Sequence, residues 1–255
     1  MVQFEPLSRL PTSEELPCSD DTPVDNELQN LVPNLLLTIL AFIWRERQDW
    51  FFGVDMGVYY LLENQRQPVL VPDGFLSIGV DRRKGERGRL SYVLWEEDYI
   101  PPLFAIEVVS KKYNDEYEQK KEKYKRLGVL YYLIYNPSHW QRERHQPLEL
   151  YRLEEGEYVL QIGNEPYWLP EIGLGIGRSR GTYVEWTREW LYWYDEQGNP
   201  YPLAEESERQ RAESERQRAI SRLLSLGLTI EQIAAVYDLS LVEVRKILEQ
   251  LNIDN

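Results

Sequence analysis

The chain has little of the chemistry that thiols and imidazoles supply. One of its 255 residues is a cysteine, Cys18, which excludes an internal disulfide framework and a thiolate-held zinc site and fits a reducing cytosol. Its two histidines, His139 and His145, both fall in the polar loop "PSHWQRERHQP", where a solvated loop residue is the first reading. General-base chemistry by imidazole therefore has few candidates, and catalysis would rest on carboxylates, lysine or a hard metal ion. Long apolar runs are also missing. The longest, "LVPNLLLTILAFIW" (31–44), falls short of the roughly 20 residues a membrane span needs, and Pro33 and Asn34 interrupt it. It lies behind an acidic leader, too far along the chain for a signal peptide, so it reads as a buried helix of a cytoplasmic protein without a membrane partner. Positive charge is short as well, with 29 Lys and Arg against 43 Asp and Glu, a net of −14. That excludes a chain that coats nucleic acid indiscriminately.

What is present is a globular composition, 42% hydrophobic with eight tryptophans, on a length that suits one or two domains. The acidity is uneven: residues 1–30 carry Glu5, Glu14, Glu15, Asp20, Asp21, Asp25 and Glu27 against Arg9. The middle of the chain differs, because "DRRKGERGR" (81–89) and "KKYNDEYEQKKEKYKR" (111–126) are locally basic. Residues 1–24, punctuated by Pro6, Pro11, Pro17 and Pro23, read as a poorly ordered acidic leader. A helix is expected from about Asn26 to Arg47. Strand-like runs follow at 50–62, 68–80, 90–95 and 102–110, each bounded by Pro, Gly or charge clusters. "NDEYEQKKEKYKRLG" (114–128) reads as a helix capped by Asn114 or Asp115 and stopped by Gly128, and it leads into the strand-like "VLYYLIYNP". Strand, helix and strand in that order suggest a crossover unit and an α/β fold. A hairpin around Glu155-Gly156, the stretch "YWLPEIGLGIG" and an aromatic segment close the globular part, 25–203.

Beyond it, "ESERQRA" occurs twice in tandem (206–212, 213–219), a solvated helical spacer whose apolar positions are Ala212 and Ala219. Capping-box patterns at Thr229/Gln232 and Ser240/Glu243 then mark two short helices, helix-turn-helix-like in outline. The second carries Glu243 and Glu249 beside Arg245 and Lys246, so it has no basic excess, and docking to a partner fits it better than reading DNA.

One carboxylate stands out. In "FAIEVVSKKY" (104–113), alternation places Phe104, Ile106 and Val108 on one face and Ala105, Glu107 and Val109 on the other. Glu107 thus sits in a strand that is apolar on both sides, and burying an ionised carboxylate without a partner costs several kcal/mol. Upstream, "VPDGF" offers Asp73, which alone reads equally well as a Pro-Asp-Gly turn. Downstream, Tyr113, Tyr117, Tyr124 and Leu127 form a helical stripe facing the sheet, with Lys120 and Lys121 in its gap. A lysine there either snorkels to solvent or reaches a buried anion such as Glu107. Asp73, Glu107 and the carbonyl oxygen of Val108 are candidate ligands for Mg²⁺, with Lys120 placed to orient or deprotonate a water and to stabilise a pentacoordinate phosphorus. The reaction class is metal-assisted phosphodiester hydrolysis.

"VPDGFLSIGV", "FAIEVVSKKY" and "EQKKEKYKRLGVLYYLIYNP" together resemble the Uma2 family of restriction-endonuclease-like proteins, a branch of the PD-(D/E)XK nuclease superfamily. The resemblance covers roughly 25–200. It implies a mixed sheet with flanking helices, a metal (Mg²⁺, or Mn²⁺ in its place) at a fork between strands, and DNA as substrate. It assigns Asp73 to the Pro-Asp motif, Glu107 to the second acidic motif and Lys120, four before Tyr124, to the helix lysine. Val109 stands where the wider superfamily has its lysine, so that role moves to the helix, with Lys121 as rival. An acidic residue on the first helix often completes such sites; Glu27 is the candidate, although an exposed helix-start carboxylate describes it as well.

Three readings compete. The first is a Mg²⁺-dependent DNA endonuclease with Arg82, Arg83, Lys84, Lys111 and Lys112 on phosphates. The second is a non-catalytic scaffold on the same fold that assembles through its C-terminal helices, which would also be the place for a homodimer. The third, a sugar or ester hydrolase with paired carboxylates, leaves the lysine among the tyrosines unexplained.

Overall fold

The fold is that of a computed structural model, which describes residues 27–62, 65–66, 70–109, 116–138 and 145–253, together with Thr12. The leader proposed for 1–24 and the caps at Asn114 and Asp115 lie outside the described residues apart from Thr12. Contacts divide the chain into two units, Met1–Tyr201 and Pro202–Asn255.

The first unit opens with α1 (Glu27–Ile43), which buries Val32, Pro33, Leu35, Leu36, Ile39 and Leu40. It stops short of the expected Arg47, because the chain tightens into a turn in which Arg47 N–H donates to the Trp44 carbonyl at 2.9 Å. The expected strand 50–62 is broken into β1 (Trp50–Val54), β2 (Val58–Tyr59) and β3 (Leu61–Leu62), the last paired with β4 (Gln65–Arg66). The break is Asp55, held at φ 46°, whose N–H donates to the Asp73 carbonyl at 3.2 Å. β5 (Gly74–Ile78) begins one residue after Asp73 and pairs antiparallel with both β1 and β7, so the Pro-Asp-Gly stretch opens a central strand. Gly74 is required by packing, since a Cβ there would lie 2.9 Å from Pro33 Cβ and 3.0 Å from Ile106 Cγ2. Of the run 90–95, only β6 (Tyr92–Val93) is strand, and a single 3₁₀ turn takes Leu94–Glu96.

β7 (Phe104–Val108), α2 (Gln119–Leu127) and β8 (Tyr131–Tyr135) make the crossover, with β7 and β8 parallel. α2 is preceded by a turn at 116–118 and ends on Gly128 in the left-handed region, φ 86°. β9 (Leu148–Glu154) and β10 (Glu157–Leu160) form the expected hairpin around Glu155-Gly156. The central sheet therefore runs β1-β5-β7-β8-β9-β10, mixed and flanked by helices as anticipated. A second sheet of β11 (Tyr167–Leu169), β12 (Leu174–Tyr183) and β13 (Trp186–Tyr194) joins α1 in covering one face of the first. There Trp193 packs on Phe104 with ring centroids 5.4 Å apart and donates from Nε1 to the Leu36 carbonyl. The other face carries Phe75, Ala105, Val109, Tyr132, Ile134 and Tyr151, closed by Tyr124 and Leu127 of α2. All five residues of β7 are buried, and the alternation expected of it holds.

The second unit is built from α3 (Ala204–Ser225), α4 (Ile230–Tyr237) and α5 (Leu241–Ile253) around Ile220, Ile233, Ala234 and Val244. Both capping boxes form: Thr229 with Gln232, and Ser240 with Glu243. Among the described residues no helix is long and apolar enough to cross a membrane.

Candidate active site

The register of β5 on β7 pairs Gly74 with Ile106, so one step on Asp73 falls opposite Glu107. Both side chains project to the face covered by α2. Asp73 Oδ2 accepts the Val108 N–H at 2.6 Å. The Val108 N–H thus fixes Asp73 beside the expected carbonyl ligand of the same residue. Glu107 is 1% exposed and accepts on both oxygens: Lys120 Nζ donates to Oε2 at 2.9 Å, and the buried Tyr124 hydroxyl donates to Oε1. Of the expected stripe, Tyr113 lies outside the described residues and Tyr117 sits in the turn before α2, but Tyr124 and Leu127 do face the sheet, and the lysine that reaches the buried anion is Lys120. Lys121 turns the other way and lies 3.5 Å over the Tyr151 ring.

A third carboxylate belongs to this group. Glu116, in the turn before α2, is 2% exposed, and its main-chain carbonyl is fixed by the Tyr132 hydroxyl at 2.7 Å. Its charge is felt by Asp73, Glu107 and Lys120 alike. The sequence reading placed Glu116 inside the helix expected over 114–128 and gave it no role, whereas the helix begins at Gln119; the one available signal was its place four residues before Lys120. Glu27 takes no such part and is exposed in the first turn of α1.

The electrostatics follow from burial and crowding. Burial, then the charge of Glu107, push the Asp73 carboxyl well above the usual carboxylate range, against the Val108 N–H and Lys120. Burial likewise raises Glu107, against the charge and hydrogen bond of Lys120 and the hydroxyl of Tyr124. Burial alone would lower Lys120, but Glu107, Asp73 and Glu116 outweigh it and hold the ammonium protonated above its ordinary range. Tyr124 is raised by burial and by Glu107, so it stays a donor.

The donor set is all oxygen and hard: Glu107 on β7 and Asp73 just before β5, both carboxyls raised first by burial and further by neighbouring carboxylate charge. It fits a divalent cation such as Mg²⁺, which favours oxygen ligands and would relieve that repulsion. Among the described residues no three His, Cys, Asp or Glu side chains are grouped closely enough to hold a metal by themselves. A cation at Asp73 and Glu107 would keep other ligand positions for water or substrate.

The loop at 81–89 is tied down. Arg89 is buried and forms a forked pair with Glu97 at 2.8 and 3.0 Å, Lys84 reaches Glu97 at 2.7 Å, and the Arg82 guanidinium lies 3.8 Å over the Trp50 ring. Arg83 is exposed. Lys111 and Lys112 lie outside the described residues.

The Uma2 family model, described as "Putative restriction endonuclease", matches residues 21–181, well over half of the chain. The chain belongs to the Uma2 family. The match contains Asp73, Glu107, Glu116 and Lys120 and ends before the second unit begins. No curated protein and no solved structure matches the chain.

Proposed function

We propose that this Uma2 protein is a DNA endonuclease that hydrolyses phosphodiester bonds with a divalent cation, Mg²⁺ or Mn²⁺, held by Asp73 and Glu107. The observation that carries the reading is the buried Glu107, held by Lys120 at 2.9 Å, with Asp73 opposite it across the β5–β7 register. An excess of buried negative charge at a strand end is costly unless a cation joins it. A hard cation bound there supplies Lewis acidity toward a phosphoryl oxygen and acidifies a bound water. The protein's own part is positional. Asp73 is locked by the Val108 N–H, and Glu107 is oriented by Tyr124 and Lys120. Lys120, kept protonated by its neighbours, serves as a donor to the phosphate or to the attacking water, and its raised pKa makes it a poor base. The overall acidity restricts DNA contact to a local surface and calls for low salt. The cytoplasm is the proposed place of action, in keeping with the lone cysteine.

The test is nicking of supercoiled plasmid and cutting of single-stranded DNA at low salt with Mg²⁺, Mn²⁺ or chelator, using the native chain, Glu107→Gln and Lys120→Ala. Cleavage that needs the metal and disappears in both variants supports the reading. Inert native protein on every substrate, with normal folding, removes it. A second reading, a scaffold that assembles through its C-terminal helices, draws on Val236 and Val242 of the second unit, which are 64% and 74% exposed.

A further inference from the structure

The strand register continues the site's row across the sheet. Asp73 lies opposite Glu107, Glu107 pairs with Ile134, and Ile134 pairs with Glu149. Directly paired residues share a face, so Glu107 and Glu149 project to the same side, two strand spacings or about 10 Å apart. Glu149 is 5% exposed, yet alternation along β9 would leave it looking like a surface residue. Three donors surround it: the Gln146 N–H at 3.0 Å, the Tyr151 hydroxyl at 2.6 Å and His145 Nδ1 at 2.9 Å. A carboxylate only accepts, so the imidazole gives its Nδ1–H to Glu149 and keeps Nε2 for something else. The ring is clamped flat on Tyr117, with centroids 3.6 Å apart and planes 8° off parallel, and Asn136 donates to the Tyr117 hydroxyl. A solvated loop histidine needs none of this support, yet the His145 side chain remains one-third exposed.

We propose that His145 is a phosphate contact in the nucleic-acid cleft of this nuclease, binding a backbone phosphate within a few nucleotides of the one cut at Asp73 and Glu107. This rests on the nuclease reading above. The spacing suits it: Glu149, which holds the His145 ring, lies about 10 Å from Glu107 along the row, roughly three nucleotides at about 3.4 Å of rise each. So does the charge. Among the described residues, the titratable groups near His145 are Glu149 and Tyr151 from β9, and Tyr117 and Lys121 from α2 and its leading turn. Lys121 acts on Glu149 and offsets its charge, so a protonated imidazole leaves the cluster positive with an Nε2–H to donate. Tyr117 follows Glu116 directly, so one turn of chain carries a residue of each cluster.

The experiment is oligonucleotide binding by fluorescence anisotropy, with Ca²⁺ in place of a catalytic metal, at about pH 6 where imidazoles are commonly charged. Salt is varied between about 50 and 200 mM. The chains compared are native, His145→Ala and His145→Lys, each checked for a native thermal transition. His145→Ala is expected to bind about tenfold more weakly on all sequences and to lose about one unit of the slope of log affinity on log salt. His145→Lys, which keeps a cation without the ring, is expected to recover the slope. Equal affinity and slope in native and His145→Ala would overturn the proposal while leaving the nuclease reading intact. So would equal weakening of both variants at unchanged slope, which would make the ring a packing element on Tyr117. A native chain that binds no nucleic acid overturns both.

Discussion

Two buried carboxylates of the first unit meet opposite fates. Glu97 has more positive charge than it needs: a forked Arg89, itself under Phe51 at 4.4 Å, and Lys84 at 2.7 Å. Glu107 has to share Lys120 with Asp73 and Glu116. The first cluster is closed, and its geometry, a planar fork on a carboxylate, is the sort that fixes a loop. In the second, a point charge on a flexible stem faces several carboxylates, and burial together with their mutual charge raises Asp73 and Glu107 above the usual carboxylate range. A satisfied ion pair supports structure, and a crowded one invites another cation. The difference lies in the count of charges around each carboxylate, because both are equally out of water.

The sharpest way to separate the two clusters is to remove a partner from each. Glu107→Gln is expected to lower metal-dependent cleavage at least a hundredfold while the protein still folds, measured by plasmid nicking beside a denaturant melt. Arg89→Met leaves Glu97 short of its fork and is expected to cost about 3 kcal/mol of folding stability, with little change in cleavage per folded molecule. Divalent metal comes next. At 100 times its dissociation constant Mn²⁺ should stabilise the native chain by about 2.7 kcal/mol in thermal melts and do nothing for Asp73→Asn.

Tyr124→Phe keeps the ring stacked on Tyr132 but removes the donor on Glu107. Metal affinity should fall about tenfold or more by calorimetry, at a stability cost of about 1 kcal/mol. A subtler difference is the response to pH. A carboxyl whose pKa is raised on folding binds more protons folded than unfolded, so stability falls as pH rises from about 4 through the raised value. Metal-free Asp73→Asn should therefore gain on the native chain in melts as pH goes from 4 towards 7, and saturating metal should erase that gain. The smallest effect is at Lys121, whose loss removes a cation–π contact with Tyr151 worth about 0.5–1 kcal/mol and leaves cleavage nearly intact, unlike Lys120→Ala.

Much of this was legible in the chain where the information is local. Alternation in "FAIEVVS" placed Glu107 inside, the tyrosine stripe of α2 pointed to a lysine reaching it, and Gly128 marked the helix end. What was not legible came from pairing between distant segments. Asp73 reads as a turn until β5 is seen pairing with β7. Glu149 alternates as a surface residue, and only the register of β9 on β8 carries it into the row of Glu107 and gives His145 a partner. Glu116 falls within the helix expected from the sequence but sits in a turn before the actual one, where the Tyr132 hydroxyl fixes its carbonyl. The run at 50–62 looked continuous because its apolar pattern is; Asp55, bonded to Asp73, breaks it. The basic loop at 81–89 showed its charge in the sequence but not that Glu97 and Trp50 would hold Lys84, Arg89 and Arg82.

The most direct test of the central claim is a calorimetric titration of the metal-free chain with Mn²⁺, run beside Glu107→Gln. The account predicts a single binding event in the native protein that is absent from the variant. No binding in the native chain, or the same binding in both, would contradict it.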